Sequence, residues 1–155
     1  MQGKKVMIGL SGGINSMALL CWLKRSGIQP SELHLFYAHL SEHSPETFPF
    51  VKAGIKYARA HFQNVFVKVT RNSALAFFES QNMIPHPMVG TCSRVLKISP
   101  MNAYAFDNDI HIDLVGYVRH EVKRRASKQA SKLGNQLDLF GGLAKVFPIS
   151  EFDND

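Results

Sequence analysis

Short apolar runs alternate with amphipathic stretches along the whole chain. The first apolar run, residues 6–10, ends in Ser-Gly-Gly, as a buried strand does where it meets a turn. From Ser16 onward the apolar positions recur at helical spacing, and Lys24-Arg25 before Gly27 marks the end of a helix. The same two patterns then repeat. They predict strands over 33–40, 65–69, 110–116 and 145–149, and helices over 45–62, 73–81, 100–107 and 118–132.

This regular alternation predicts the fold class. Strands that alternate with helices form a parallel sheet with helices on both faces. We therefore expect an α/β three-layer sandwich with a mainly parallel sheet of about five strands, the usual size for such sheets. Residues 1–155 form one predicted domain, and we expect its core to include several large apolar side chains: Phe50, Phe77, Phe78, Met83 and Phe106.

Composition narrows the classes of partner. Lys and Arg number 18 against 12 Asp and Glu, which gives a formal net charge of +6 and favours anionic partners. The 2 cysteines, Cys21 and Cys92, exclude a disulfide-rich scaffold and indicate a reducing, cytoplasmic location. The sequence has no apolar run of about 18 residues, the length that a membrane span requires, so we expect no membrane partner.

The strongest local motif is the segment Ser-Gly-Gly-Ile-Asn-Ser over residues 11–16, between the first strand and the first helix. Two glycines allow the backbone to turn tightly and to approach a ligand closely. The helix that follows offers unpaired N–H groups and a positive dipole end, which suit a phosphate. The segment is not a Walker loop, because the Gly-Lys-Ser/Thr ending is missing. The alternative is a plain strand–helix turn in which Asn15 or Ser16 caps the helix.

This segment resembles the Ser-Gly-Gly-x-Asp-Ser loop of the PP-loop ATP pyrophosphatases, or adenine nucleotide alpha-hydrolase-like proteins. Further matches follow in family order and resemble the phosphoadenosine phosphosulfate reductase branch. Residues 43–51 are similar to its Pro-Glu-Thr helix start, 92–100 to its Cys-x-x-x-x-Lys-x-x-Pro segment, and 116–125 to its Gly-x-Arg-x-x-Glu-x-x-Arg segment with one extra residue. Residues 147–149 are similar to a late Pro-Ile.

The resemblance implies a nucleotide site that uses ATP or a related adenine nucleotide together with Mg²⁺. The phosphates would lie on the loop, at Ser11, Gly12, Gly13 and Ser16. The adenosine would lie near Ala38, His39 and Gly116, and the anion contacts would be Lys97, Arg119 and Arg124. In related enzymes ATP is cleaved between its α and β phosphates and an acceptor is activated. The resemblance therefore implies an acceptor substrate or protein partner, which the sequence does not identify.

Two departures from the family pattern bear on catalysis. Asn15 stands where the family loop has aspartate, and an amide brings no negative charge to Mg²⁺. Asn15 therefore belongs with Lys97 and Cys92 among the candidate catalytic residues. A catalytically weakened nucleotide sensor or partner subunit is the alternative function. The reductases of this branch also carry a nucleophilic cysteine in a C-terminal tail. No cysteine follows Cys92, so the resemblance does not predict sulfonucleotide reduction by that route.

Three other features of the sequence are candidate sites. Cys92 lies near cations that can lower a thiol pKa, but the lack of a partner cysteine favours a structural thiol. His39 and His43 are four residues apart, a zinc spacing on a helix, yet they fall at a strand end and in a loop, so we predict no metal site there. A basic stretch makes a nucleic-acid-binding module a third possibility for the function; its residues are Arg119, Lys123, Arg124, Arg125, Lys128 and Lys132.

Overall fold

The computed structural model describes residues 1–84, 91–118 and 143–150. The strands of these residues are β1 (Lys5–Gly9), β2 (Glu32–Leu40), β3 (Val65–Asn72), β4 (Ile112–Leu114) and β5 (Ala144–Val146). The helices are α1 (Ile14–Arg25), α2 (Thr47–His61), α3 (Ala74–Ser80), α4 (Thr91–Ser93) and α5 (Ser99–Asp107), with a π-helical turn (Arg94–Ile98) between α4 and α5.

The five strands form one sheet in the order β3-β2-β1-β4-β5, and every pair is parallel. The central strand β1 is apolar throughout its middle because both of its faces are covered, and Val6, Met7 and Ile8 are fully buried. The chain runs outward from β1 to β3 and then returns to place β4 on the other side of β1. The predicted α/β sandwich with a parallel five-stranded sheet is therefore confirmed.

Alternate residues of the sheet face two separate cores. Ile8 and its strand neighbours Leu35 and Leu114 pack against the apolar faces of α1 and α2. Met7 lies on the opposite face, where it packs with Ala105 of α5. Burying a side chain of this size stabilises the fold by about 1.5–3 kcal/mol relative to leaving it exposed. These cores hold the carboxyl ends of β1 and β4 side by side.

The segment before Pro100 differs from the sequence prediction. Helix α5 does not start freely at Pro100, because the chain is already helical from Thr91. The Ser99 N–H donates to the Arg94 carbonyl across one extra residue, which makes the turn π-helical. Proline is common in the first turn of a helix, so its position predicted a start but carried no information about a preceding turn.

Other boundaries also differ. Strand β4 is limited to Ile112–Leu114, shorter than the predicted 110–116. Val118, where a helix over 118–132 was predicted to begin, is not helical, and residues 119–132 lie outside the described residues. Most of the Pro-rich loop before Thr91 also lies outside them. Among those described, no helix combines the length and the apolar character needed to cross a membrane.

Two phenylalanines and one methionine that were predicted to lie in the core are exposed. Phe106 is 75% exposed, Phe50 57% and Met83 45%, whereas Phe78 is buried. Helix α5 turns only one side to the sheet, so Ala105 is buried while its neighbour Phe106 points away. The core predictions for Phe50, Met83 and Phe106 were therefore wrong. For Phe50 and Phe106, residue type alone does not say which side of a helix meets the sheet, and Met83 lies beyond the end of α3.

The carboxylate of Glu42, in the loop after β2, accepts hydrogen bonds from the start of α3. The Glu42 side chain accepts hydrogen bonds from the Ser73 hydroxyl at 2.6 Å and from the Ala74 and Leu75 N–H groups at 3.0 Å. These three donors, led by the Ser73 hydroxyl, lower the pKa of Glu42 to about 2. The contact joins the loop after β2 to the loop after β3.

We expect Glu42→Gln to lower the melting temperature at pH 7, because the amide cannot accept all three bonds as the carboxylate does. The ionised form stabilises the fold above pH 4.5 and loses that effect as the pH falls toward 2, so the difference from wild type should shrink over this range. Thermal unfolding at several pH values measures this. Glu79→Gln on the exposed end of the same helix is the control; an equal effect of both changes would contradict the assignment.

Candidate active site

The loop between β1 and α1 depends on a glycine that no other residue can replace without strain. Gly12 has φ +76°, in the left-handed region that favours glycine. A Cβ at this position would lie 2.8 Å from Thr47 Cγ2 and 2.9 Å from the Thr47 carbonyl oxygen. The loop is therefore pressed against the first turn of α2, and its backbone can approach a ligand on the other side.

Helix α1 begins without a side-chain cap. Its N-cap is Gly13, so the alternative in which Asn15 or Ser16 caps the helix does not hold. The Ser16 hydroxyl instead donates to the Gly13 carbonyl at 2.8 Å, and the Ser11 and Ser16 hydroxyl oxygens lie 3.3 Å apart. No side chain among the described residues caps the start of the helix, and the positive end of its dipole suits an anion.

A cavity of about 380 Å³ lies at the carboxyl ends of β1 and β4. This is the point at which the strand order reverses, where ligands bind in open parallel sheets. Its volume falls within the range of small-molecule sites. The cavity is lined by Gly9, Ser11, Gly13, Ile14, Asn15, Ser16, Met101, Asp113, Val115, Gly116 and Tyr117.

The two walls of this cavity meet at Gly116 and Asn15. A Cβ on Gly116 would lie 3.0 Å from the Asn15 carbonyl oxygen and 3.3 Å from Asn15 Cβ. The chain leaving β4 therefore runs directly against the first turn of α1, a contact that the sequence did not predict. Any side chain at position 116 would push these walls apart.

The sequence analysis missed Asp113, which is only 2% exposed and lines the cavity from β4. Burial raises the pKa of its carboxyl to about 6, while the charge of Lys145 on the neighbouring strand acts in the opposite direction. The sequence did contain a signal for this residue, because Asp113 is an acid between the apolar residues Ile112 and Leu114 of a strand. Asp113 was not predicted as a site residue, because the strand over 110–116 was assigned from its apolar residues alone.

A second group of side chains surrounds the end of β2, outside the cavity lining. It contains His39, which the resemblance placed beside the adenosine, and Lys97. Tyr37 Oη lies 3.0 Å from His39 Nδ1 and 3.5 Å from His43 Nδ1, and Lys97 Nζ lies 3.1 Å from His43 Nε2. The Phe48 ring packs beside Tyr37 and His39. We call these five residues the β2 cluster: Tyr37, His39, His43, Phe48 and Lys97.

The charge state of the β2 cluster follows from these contacts. Burial lowers the pKa of His43, the neighbouring charges of Lys97 and His39 lower it further, and Glu42 acts weakly in the opposite direction. A neutral His43 accepts a hydrogen bond from the Lys97 ammonium group through Nε2. The Glu42 carboxylate is bonded to the start of α3. The cluster is a half-buried cationic site.

The other predicted site residues are placed as follows. Ala38 lies within β2 beside the β2 cluster, and Cys92 is a partly exposed free thiol in α4. Neither lines the cavity. Arg119 and Arg124, and the basic stretch proposed for nucleic acid, lie outside the described residues. Among the residues that are described, no group of three or more His, Cys, Asp or Glu side chains is placed to hold a metal ion.

Comparison with other proteins adds information at the level of the fold. No protein-family model and no curated protein matches the sequence. The U34-tRNA thiolase NcsA from Methanococcus maripaludis, solved with its [4Fe-4S] cluster, matches with a TM-score of 0.70 and 15% identity, over 99% of this chain and 55% of that one.

Two further structures match. NMN synthetase from Francisella tularensis has a TM-score of 0.60 at 15% identity, over 98% of this chain and 58% of that one. Phosphoadenylyl-sulfate (PAPS) reductase from Candida auris, in a phosphate complex, has a TM-score of 0.59 at 14% identity, over 96% and 67%. The chain thus spans between 55% and 67% of the lengths of these three proteins.

These matches define the class of fold. At 14–15% identity they show a shared architecture, and that architecture is the PP-loop, adenine nucleotide alpha-hydrolase-like fold. The resemblance read from the sequence motifs is confirmed at this level.

We expect Lys97→Met to raise the pKa of His43 toward its ordinary value. The change removes the neighbouring charge but leaves the burial, so only part of the depression should be relieved. Histidine ring resonances followed by NMR over pH 4–9 measure this. Lys24→Met at the end of α1 is the control and should leave His43 unchanged. An unchanged His43 titration in Lys97→Met would show that the two side chains are not in contact.

Proposed function

We propose that this chain binds an adenine nucleotide, ATP or a sulfonucleotide, with its phosphates on residues 11–16. The observation that carries the proposal is the left-handed Gly12 loop leading into an uncapped helix at the mouth of the cavity. Backbone N–H groups and a helix dipole at such a place suit phosphate oxygens. The names of two proteins that share the fold, a PAPS reductase and an NMN synthetase, support a nucleotide ligand.

The loop hydroxyls are suited to exchange partners with a phosphate. The Gly13 N–H reaches Ser11 Oγ at 3.3 Å, and Ser11 Oγ lies 3.3 Å from Ser16 Oγ. Both distances are near the upper limit for hydrogen bonds, so these contacts are weak. A phosphate oxygen at the helix start would accept shorter, charge-assisted bonds from the same donors.

We propose further that ATP is cleaved at its α-phosphate to activate an acceptor. A nucleophilic oxygen of the acceptor would form the new bond to the α-phosphorus, and pyrophosphate would leave with the electron pair of the broken bond. Lys97 is the candidate for stabilising the developing charge, with Arg119 and Arg124. Ala38, His39 and Gly116 are assigned to the adenosine side, and Cys92 stays a candidate without a contact that supports a role.

The residues of the cavity fit a Mg²⁺ ion that arrives with the nucleotide. Mg²⁺ in phosphate sites takes one or two carboxylates and keeps several waters, with the phosphates supplying other oxygens. Asp113 offers a carboxylate and Asn15 an amide oxygen on the walls of the cavity. When bound, the ion would neutralise phosphate charge during the displacement.

One observation favours a second candidate function. Asn15 lies on the cavity wall where the family resemblance has aspartate, so the loop holds the nucleotide with one negative charge fewer. A protein that binds the nucleotide without turning it over would serve as a sensor or as a subunit of a larger enzyme.

We expect Gly12→Ala to weaken ATP binding at least about tenfold, because the added Cβ collides with the Thr47 backbone and displaces the loop. Gly27→Ala is the matched control, since Gly27 also has positive φ (+70°) but open space around its Cβ position. In both variants, an alanine held at positive φ lowers the free energy of unfolding by about 1–2 kcal/mol. Isothermal titration calorimetry with Mg²⁺ present compares their affinities. Absence of ATP binding by the wild-type protein would overturn the proposed function.

Asn15→Asp distinguishes the two candidate functions. If the chain is a weakened enzyme, restoring the loop carboxylate should raise pyrophosphate release at least about tenfold from a low start. If it is a sensor, release should stay at background in both proteins while ATP binding persists. Pyrophosphate release is measured with a coupled assay, and rapid release by the wild-type protein would contradict the sensor.

A further inference from the structure

Asp113 is a buried carboxylate that lines the cavity from β4. It is the only acid among the residues that line the cavity in the described part of the chain. It stands in the middle of β4, level with Met7 of β1 and Lys145 of β5. A buried carboxylate lowers stability unless it is well compensated, and an apolar residue would pack better beside Met7.

His34 is also a buried polar side chain on this face of the sheet, but its hydrogen bonds differ from the surroundings of Asp113. His34 donates or accepts through both ring nitrogens, at 2.9 Å to Glu32 and 3.0 Å to the Tyr104 hydroxyl. That network lies at the β2 side of α5 and joins the sheet to the helix. Asp113 instead borders an open cavity together with Ser11, Asn15 and Gly116. Asp113 is thus a buried acid at the wall of a cavity that is large enough for a ligand.

We propose that Asp113 is the protein ligand of the divalent cation that accompanies the nucleotide phosphates, supplying from β4 the charge that position 15 lacks. This inference rests on the proposed function. Asn15 and Asp113 lie on adjoining walls, because the chain leaving β4 touches the first turn of α1 at Gly116. A carboxylate on either wall therefore borders the same space.

If Asp113 binds the cation, its effect on the affinity for ATP changes sign between samples with Mg²⁺ and samples without it. With a cation present, the Asp113 carboxylate binds it and strengthens nucleotide binding. Without a cation, the same carboxylate faces the phosphates directly, and two negative groups at short range repel each other. Asp113 should thus favour ATP when Mg²⁺ is present and oppose it when Mg²⁺ is removed. A residue that only supports the fold would act in one direction in both conditions.

The experiment measures ATP affinity by calorimetry, with Mg²⁺ and with EDTA, in wild type and in Asp113→Asn. For wild type we expect Mg²⁺ to raise the affinity at least about tenfold. In Asp113→Asn the effect of Mg²⁺ should fall to about twofold or less, and binding in EDTA should be tighter than in wild type. Asp109→Asn is the matched control, because Asp109 is an exposed acid in the turn before β4, and it should behave as wild type.

A second variant moves the charge instead of removing it. Asn15→Asp combined with Asp113→Asn should recover most of the Mg²⁺ effect, because the carboxylate returns to the same cavity from the other wall. Circular dichroism confirms that each variant is folded. If ATP binds but Asp113→Asn keeps the full Mg²⁺ effect, the assignment of Asp113 is overturned while the proposed function stands. If the wild-type protein binds no ATP under either condition, both are overturned.

Discussion

The absence of a side chain at Gly12 is the constraint on which the rest of the structure depends. The Thr47 carbonyl oxygen lies only 2.9 Å from the position that a Cβ on residue 12 would take. Helix α2 therefore packs directly on the turn after β1. This contact fixes where α2 starts and where α1 points. It also leaves the opposite side of the turn facing the cavity. One close backbone contact therefore determines both the packing of the first helices and the geometry of the candidate phosphate site.

The order of the strands adds the second half of the site. Because the chain returns to place β4 next to β1, the ends of two strands that are distant in sequence meet at one point. Gly116 lets the return strand approach α1 closely, and Asp113 enters the cavity from the same strand. The β2 cluster lies at the carboxyl end of the neighbouring strand β2, outside the cavity lining, and there Lys97 contacts a neutral imidazole. The architecture thus offers one cavity rich in backbone donors and one separate cationic group.

The sequence predicted the fold well and the site only in part. The pattern of apolar residues was enough for four elements. Strands β1 and β2 are apolar runs that are largely buried on both faces, β3 alternates between its two faces, and α1 buries one side. The residues of the loop were found because Gly12 and Gly13 are local signals. Asp113 and the contact of Lys97 with His43 were not found, because each depends on which strands and helices become neighbours. Phe106 was misplaced for the same reason: its exposure follows from the side that α5 turns to the sheet.

The π-helical turn before α5 has a consequence for Lys97. Successive residues of an α-helix are rotated by about 100° around the axis, so one extra residue in a turn changes the direction of every side chain before it. Lys97 lies within this turn and reaches His43 at 3.1 Å. Loss of a single residue between Arg94 and Ile98 would restore a regular helix and turn the preceding side chains by more than a quarter of a circle. The length of this segment, as well as its composition, therefore governs the direction in which the lysine points.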